Sequence, residues 1–303
     1  MRIFVTGGTG FVGREVMRQL AAAGHEVVGL VRPGSEGKLV KDANIRIHPG
    51  DVTEPDSLPG GMAGCDAVMH LVGIIREFPE RGVTYERLHV EATANVIAAA
   101  VSQGVGRYLH MSANGVRPDS AADYHRTKWR AEEEVRASDL HWTIFRPSLI
   151  FGPGSEFVAM LEGLVRSLPV VPVIGDGRYR LQPVAVGQVA ETFLKALAMP
   201  ETAGRVFHLG GAESYPFDEI LDLVGRAIGM SRVLKFHQPA ALVRPVVRLL
   251  ERCRSFPVTL DQVTMMLEGN VCDQGLWAET FDIEPVAFAE GIAGCLDTVR
   301  TKT

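Results

Sequence analysis

The sequence predicts a doubly wound α/β fold, a parallel sheet covered by helices, with a second, smaller and discontinuous domain. Three observations predict it. Short runs rich in β-branched and aromatic residues alternate with longer segments of helical period from Arg2 to Ile150. The first strand and helix are joined by glycines spaced G-x-x-G-x-x-G, at Gly7, Gly10 and Gly13. Beyond Ile150 the alternation breaks up, then returns over residues 180–212. The expected division is therefore 1–150 with 180–212 as the sheet domain, and 151–179 with 213–303 as the smaller one. A chain of 303 residues can bury a sizeable core in such an arrangement.

Arg2 to Thr6 is too short for a helix and ends in glycine, so it is expected as a buried strand. From Phe11 to Ala23, Val12, Val16 and Leu20 recur every four residues, and Gly24 stops the run as a left-handed cap would. Between them, the missing Cβ atoms let the backbone turn tightly and approach a ligand. The helix start then presents unpaired N–H groups and a positive dipole end, which suit a pyrophosphate. A dinucleotide site is the reading this strand, glycine cluster and helix support; a glycine triplet on its own can also be only a turn.

His25 to Val31 is a second strand, and Arg32 stands at its end. An acid about twenty positions beyond the glycines would bond the ribose 2′-hydroxyl of NAD, whereas arginine suits the 2′-phosphate of NADP. NADP(H) is favoured over NAD(H), with a surface arginine opening the Pro33-Gly34-Ser35 turn as the other reading. Asn44 to His48 is a third strand, after which Asp51 and Val52 stand where an acid can bond an adenine amino group or merely cap the next turn. Cys65 to Val72 is a fourth, ending in Gly73 where backbone would pass close to a ribose; His70 within it is read as a core histidine. Tyr85 to Ser102 is helical by pattern, with Leu88, Ala92, Asn95, Val96 and Ala99 on one side.

Arg107 to Met111 is a fifth strand, followed by a loop and a helix over Ala121 to Ala137 that carries Tyr124 and Lys128 one turn apart on one face. A tyrosine with an ordinary pKa near ~10 is a poor base. An ammonium roughly 4 Å away at an effective dielectric of about 20 is worth about 4 kcal/mol, which would lower that pKa by about three units. The phenol could then exchange protons with a hydroxyl or carbonyl. The bland alternative is a solvated helix face. His141 to Ile150 is a sixth strand. Later segments are a helix at Phe157 to Leu168, apolar runs at Val170 to Ile174 and Leu181 to Val186, a helix at Gln188 to Ala198, a strand at Val206 to Leu209, and helices at Phe217 to Gly229 and Ala240 to Arg254.

Composition narrows the function. Hydrophobic residues are 46% and charged residues 22%, and the net charge of −5 argues against nucleic acid as a partner. The four cysteines form no C-x-x-C pair and are expected to be reduced thiols; the nine histidines show no H-x-x-x-H pairing, so no metal site is expected. No signal peptide or transmembrane segment is expected, and the cytoplasm is the expected location.

Thr6-Gly-Gly-Thr-Gly-Phe-Val-Gly13, Gly50-Asp-Val52, Tyr124-x-x-x-Lys128, Phe145-Arg-Pro-Ser-Leu-Ile-Phe-Gly-Pro153 and Leu181-Gln-Pro-Val-Ala-Val-Gly-Gln-Val189 together resemble the extended short-chain dehydrogenase/reductase family. The resemblance covers essentially the whole chain. It runs to the atypical, epimerase-like branch that contains the nucleotide-binding accessory subunit of respiratory complex I and its bacterial relatives, through the short gap before Tyr124 and the stretch from Leu250 to Val263. It implies a Rossmann sheet with the coenzyme against Gly7, Thr9, Gly10, Phe11, Val12, Gly13, Arg32, Asp51, Val52, Leu71, Val72, Gly73, Tyr124, Lys128 and Pro147. It also implies Tyr124 and Lys128 as catalytic residues. Catalytic relatives place a serine or threonine beside the tyrosine; here that position is Ala113, and its neighbour Ser112 substitutes only if the backbone turns there. Losing one such donor typically costs about 10²–10³ in rate.

Two readings follow. The first is an NADP(H)-dependent oxidoreductase or epimerase-type enzyme acting on a hydroxyl or carbonyl. A nucleotide-sugar substrate ranks lower, because the arginine that holds a diphosphate in such relatives aligns with Leu181, one residue from Arg180. Ile74, Ile75, Phe78, Phe151 and Phe157 would line an apolar mouth, or are plain core. The second is a protein that holds NADP(H) as a structural, assembly or redox-sensing element and works through a partner. Arg244, Arg248 and Arg252 recur among Leu242, Val243, Val246, Val247, Leu249 and Leu250, a pattern for a peripheral membrane or partner contact or for a helix with one solvated face.

Overall fold

The structure is a computed structural model and describes residues 1–251 and 258–300. The chain forms two compact units. The first comprises Met1–Pro147, Val186–His208 and Gly275–Ile283; the second comprises Ser148–Ala185, Leu209–Gln274 and the residues from Glu284 onward. Residues 180–185 and 209–212, expected in the sheet domain, pack with the second unit, and Gly275–Ile283 packs with the first.

In the first unit, β1 (Arg2–Thr6), β2 (Glu26–Val31), β3 (Ile45–Pro49), β4 (Ala67–His70), β5 (Arg107–Met111), β6 (His141–Pro147) and β7 (Arg205–Leu209) form one sheet. Its order is β3-β2-β1-β4-β5-β6-β7. The pairs β1/β2, β2/β3, β1/β4, β4/β5 and β5/β6 run parallel. Parallel strands are covered on both faces, and accordingly Ile3, Phe4, Val5, Val68, Met69 and Leu109 are fully buried. The helices are α1 (Phe11–Ala22), α2 (Ala92–Ser102), α3 (Asp123–Ala137), α4 (Val186–Leu197) and α5 (Gly275–Phe281). Helix α1 turns Val16, Met17 and Leu20 inward. Gly24, at φ +78°, reverses the chain as its N–H and that of His25 bond the carbonyls of Ala21 and Leu20.

Strand order reverses between β1 and β4, the switch point at whose carboxyl end ligands bind in open α/β sheets. There the register sets Thr6 beside His70 and His70 beside His110. Two elements differ from the pattern reading. The helix expected from Tyr85 begins as a π-helical segment, Glu86–Glu91, before α2. The strand expected to reach Ile150 stops at Pro147; Ile150–Phe151 pairs instead with Val184–Ala185 in the second unit.

The second unit is built of short pairings and helices around Phe151, Leu161, Val165, Ile220, Val224 and Phe288. Val171–Ile174 runs parallel to Lys235–Gln238, and Arg180–Leu181 lies antiparallel to Tyr215–Pro216. Helix Glu156–Ser167 is capped by Ser155, and Leu260–Glu268 by a Thr259–Gln262 capping box. Helix Ala240–Leu250 buries only Val247, while Leu242, Val246 and Leu249 are exposed. Arg252, Cys253 and the rest of 252–257 lie outside the described residues. Among the described residues, Cys65, Cys272 and Cys295 form no disulfide.

Candidate functional site

The loop from β1 to α1 shows what each glycine does. Gly7 lies at φ +75°, and a Cβ there would stand 3.0 Å from the carbonyl carbon of Leu71, so the loop rests on the backbone leaving β4. A Cβ on Gly13 would come within 2.1 Å of the Gly7 oxygen, which is why the helix can sit so close to the loop. Gly10 is the N-cap residue, its N–H held by the Gly7 carbonyl at 3.0 Å, and only that oxygen lies within 4 Å of where its Cβ would be. Gly8 is a fourth constraint that the spacing rule misses: a Cβ there would meet Met17 Sδ at 2.2 Å. The first turn of α1, Phe11, Val12 and Gly13, has neither an acidic residue nor a side-chain cap, and Thr9 is part-exposed beside it. Its N–H groups and dipole are left for an anion. The cradle fits a pyrophosphate.

Arg32 follows β2 and is exposed; its carbonyl accepts from Ser35 across the Pro33-Gly34 turn. Its guanidinium has no hydrogen-bond or ion-pair partner among the described residues. One oxygen of Asp51 accepts from both Thr53 N–H and Thr53 Oγ1 at 2.9 Å, so this acid does cap its own turn. Val52 is buried, its carbonyl bonded by Asn95 at 3.0 Å.

Lys128 is buried, and its Nζ donates to the carbonyls of Val72 and Met111, each at 3.1 Å, where β4 and β5 have just ended. Beside it, a Cβ on Gly73 would lie 3.1 Å from that Nζ. Burial pushes the Lys128 pKa down to about 8, against the pull of Glu132. Tyr124 stands one turn earlier, among the rings of Tyr85, His89 and His125 at 5.9, 5.3 and 5.6 Å. Its phenol is pushed up to about 12 by burial, so the lowering expected from Lys128 is absent from this site. The ammonium is engaged with two carbonyls instead.

Ser112 is buried, and its hydroxyl donates to Glu132 Oε1 at 2.5 Å. Glu132 also receives Arg146 through two nitrogens at 2.8 and 2.6 Å, and Arg136. With its one proton given to this buried carboxylate, the Ser112 hydroxyl has none to offer a substrate oxygen in place of the hydroxyl missing at Ala113. Pro147 is buried at the end of β6, its carbonyl accepting from Asn114 N–H at 2.8 Å. Asn114 Oδ1 lies 2.9 Å from His208 Nδ1.

A buried polar chain that sequence reasoning missed runs behind the site. Thr6 Oγ1 meets His70 Nδ1 at 2.7 Å, His70 Nε2 meets Thr93 Oγ1 at 3.2 Å, and Thr93 donates to the His89 carbonyl at 2.6 Å. Only the histidines in otherwise apolar runs signalled it. Of the apolar residues expected at a mouth, Phe151 and Phe157 belong to the second unit's core, while Ile75 is exposed. Arg180 is bonded to Ser214. Among the described residues there is no metal-binding cluster and no helix long and apolar enough to cross a membrane.

The model of the NAD dependent epimerase/dehydratase family matches residues 3–210, which span the glycine loop, the Tyr124 helix and all seven strands but for Arg2. The chain belongs to that family. Its relatives include complex I subunits and short-chain dehydrogenase/reductase-type reductases. It is 27% identical, over 73% of its own length and 62% of the relative's, to the mitochondrial NADH dehydrogenase [ubiquinone] 1 alpha subcomplex subunit 9 of Dictyostelium discoideum. It is 30% identical, over 78% of each chain, to the 2-alkyl-3-oxoalkanoate reductase of Stenotrophomonas maltophilia. Its fold matches DesIV, a dTDP-glucose 4,6-dehydratase of Streptomyces venezuelae solved with NAD and TYD bound, at a TM-score of 0.76 and 21% identity over 100% of this chain and 98% of that one. The Rossmann-type fold of this family member is thus shared with extended short-chain dehydrogenases that hold a nicotinamide coenzyme.

Proposed function

We propose that this family member binds NADP(H) in preference to NAD(H) and reduces the carbonyl of an apolar substrate, with Tyr124 as proton donor. The observation that carries the reading is the buried Lys128 ammonium, fixed on the Val72 and Met111 carbonyls beside Gly73 at the switch point of the sheet. An ammonium has three protons, and two are accounted for, which leaves one for a nicotinamide ribose. When bound, the coenzyme supplies the hydride. The glycine loop and the start of α1 hold its pyrophosphate, and Arg32 its 2′-phosphate. Tyr124 gives its phenolic proton to the substrate oxygen as the carbonyl becomes an alcohol. A phenol whose pKa lies at about 12 is fully protonated at neutral pH, which suits a donor better than a base. The tyrosinate left behind regains its proton from solvent.

The test is NADPH consumption with a panel of 2-alkyl-3-oxoalkanoates and simple ketones. Tyr124→Phe should lose at least about 10² in kcat with NADPH affinity unchanged. Turnover equal to wild type would overturn the assignment.

The exposed face Leu242, Val246 and Leu249 favours a second reading, in which the protein holds NADP(H) and works through a partner. The same assay separates the two. Coenzyme that stays bound without turnover, together with a stable complex on pull-down, supports the partner reading; multiple turnovers by the free chain support the first.

A further inference from the structure

The helix Ala240–Leu250 has three faces, and one of them meets the rest of its unit. Val243, Val247 and Leu250 recur at four and three residues and are turned inward, Val247 buried and the other two partly so. Leu242, Val246 and Leu249 repeat that spacing one position earlier, on a second face, and are 70%, 52% and 74% exposed. Arg244 and Arg248, one turn apart, hold the third face and are exposed too. The chain around this helix keeps one sign of charge: from Arg226 to Leu250 there are one lysine, four arginines and no acid, in a protein whose net charge is −5. Lys235 is paired with Asp222 at 2.6 Å, but the guanidinium groups of Arg226, Arg232, Arg244 and Arg248 have no hydrogen-bond or ion-pair partner among the described residues. Glu251, the first acid beyond, accepts from the Leu260 N–H at 2.8 Å. Met230, Leu234 and Phe236 of the same stretch are exposed as well.

Exposed aliphatic side chains beside unpaired cations are matched together by a bilayer with anionic headgroups, whose acyl region takes the leucines while its phosphates take the guanidinium groups. We propose that this helix lies flat on an anionic lipid surface, with Leu242, Val246 and Leu249 sunk below the headgroups and Arg244 and Arg248 reaching the phosphates beside them. Eleven residues are about half of what a bilayer crossing needs, so the helix lies along the surface and not through it. A second copy offers the arginines nothing to pair with, because a two-fold contact through this helix meets the same acid-free stretch. Protein hot spots are built on tryptophan, tyrosine and arginine, whereas leucine and valine, which make up the apolar face, are under-represented there. Lipid binding of this kind needs neither the coenzyme nor turnover.

Co-sedimentation of the whole chain with vesicles tests the contact. Binding to equal parts phosphatidylcholine and phosphatidylglycerol should be at least about tenfold tighter than to phosphatidylcholine alone, and should weaken as added salt shortens the Debye length. R244Q/R248Q should weaken binding to the anionic vesicles by about fivefold per arginine and leave the neutral ones nearly unchanged. L242S/L249S should weaken binding to both by at least about tenfold. All four positions are exposed, so urea unfolding of both variants should match wild type, and the lipid-charge and salt dependence of wild type stand without them. Wild-type chain that fails to sediment with the anionic vesicles, or R244Q/R248Q that binds them as wild type does, overturns the lipid contact. Failure to sediment, together with self-association or a co-purifying protein that L242S/L249S abolishes, would give the apolar face to a second copy or to a protein partner and overturn it equally.

Discussion

At Arg32 one exposed guanidinium, without a partner among the described residues, follows the strand at whose end we place coenzyme selection. A charge-assisted bond to a phosphate is roughly twice as strong as a neutral one. Arg32→Ala should therefore raise the Kd for NADPH about tenfold or more while shifting that for NADH less than about twofold, read by calorimetry with both coenzymes. Equal loss for the two would refute the preference. The places of Arg32 after a strand, and of Tyr124 and Lys128 one turn apart on a helix, were legible in the sequence because each depends on a short-range relation: a strand end, or a four-residue repeat on a helix. Ser112 and His89 were not. Which way Ser112 points is decided by Glu132, twenty residues away, and by the two arginines that hold it. The aim of His89 depends on a π-helical register that no hydrophobic period reveals, since Leu88, Val90 and Ala92 suit an ordinary helix equally.

Among the elements, the β1-loop-α1 unit separates steric need from ligand space. Gly13→Ala would drive its Cβ into the Gly7 oxygen and should cost about 1–3 kcal/mol of stability along with coenzyme binding. Gly10→Ala meets only that oxygen, at 3.2 Å, and should leave stability nearly unchanged while still weakening NADPH. Urea denaturation and calorimetry on the two variants check the contrast; equal destabilisation would show that the loop is packed for the fold alone. Strands of the sheet were legible to within a residue or two where β-branched runs end in glycine, as at Arg2–Thr6. The short pairings of the second unit were not, because two-residue strands such as Ile150–Phe151 and Val184–Ala185 carry no period and exist only through their partners.

For the whole molecule, buried histidines set the response to acid. Burial holds His70 down to about 3, and His89 and His110 well below their ordinary value of 6.5. Each stays neutral in the folded chain while its unfolded counterpart takes up a proton below pH 6.5, so the unfolded state binds more protons there. Stability is then unaffected above that pH and falls as pH drops toward 3, by up to about 1.4 kcal/mol per pH unit for each histidine. Urea unfolding between about pH 7 and pH 5 should show the decline, and His110→Phe should lessen it by one histidine's share, without losing a hydrogen bond, since neither nitrogen of His110 has a hydrogen-bond partner.

The late segment Gly275–Ile283 completes the sheet unit: Trp277 donates to Thr192, Lys195 bonds the carbonyls of Phe281 and Asp282, and Phe281 packs on Phe145 and Phe207. The stretch between Phe207 and Gly275 must therefore be synthesised before the sheet unit can close its last apolar seam, leaving Phe145 and Phe207 unsealed on the nascent chain until that segment emerges.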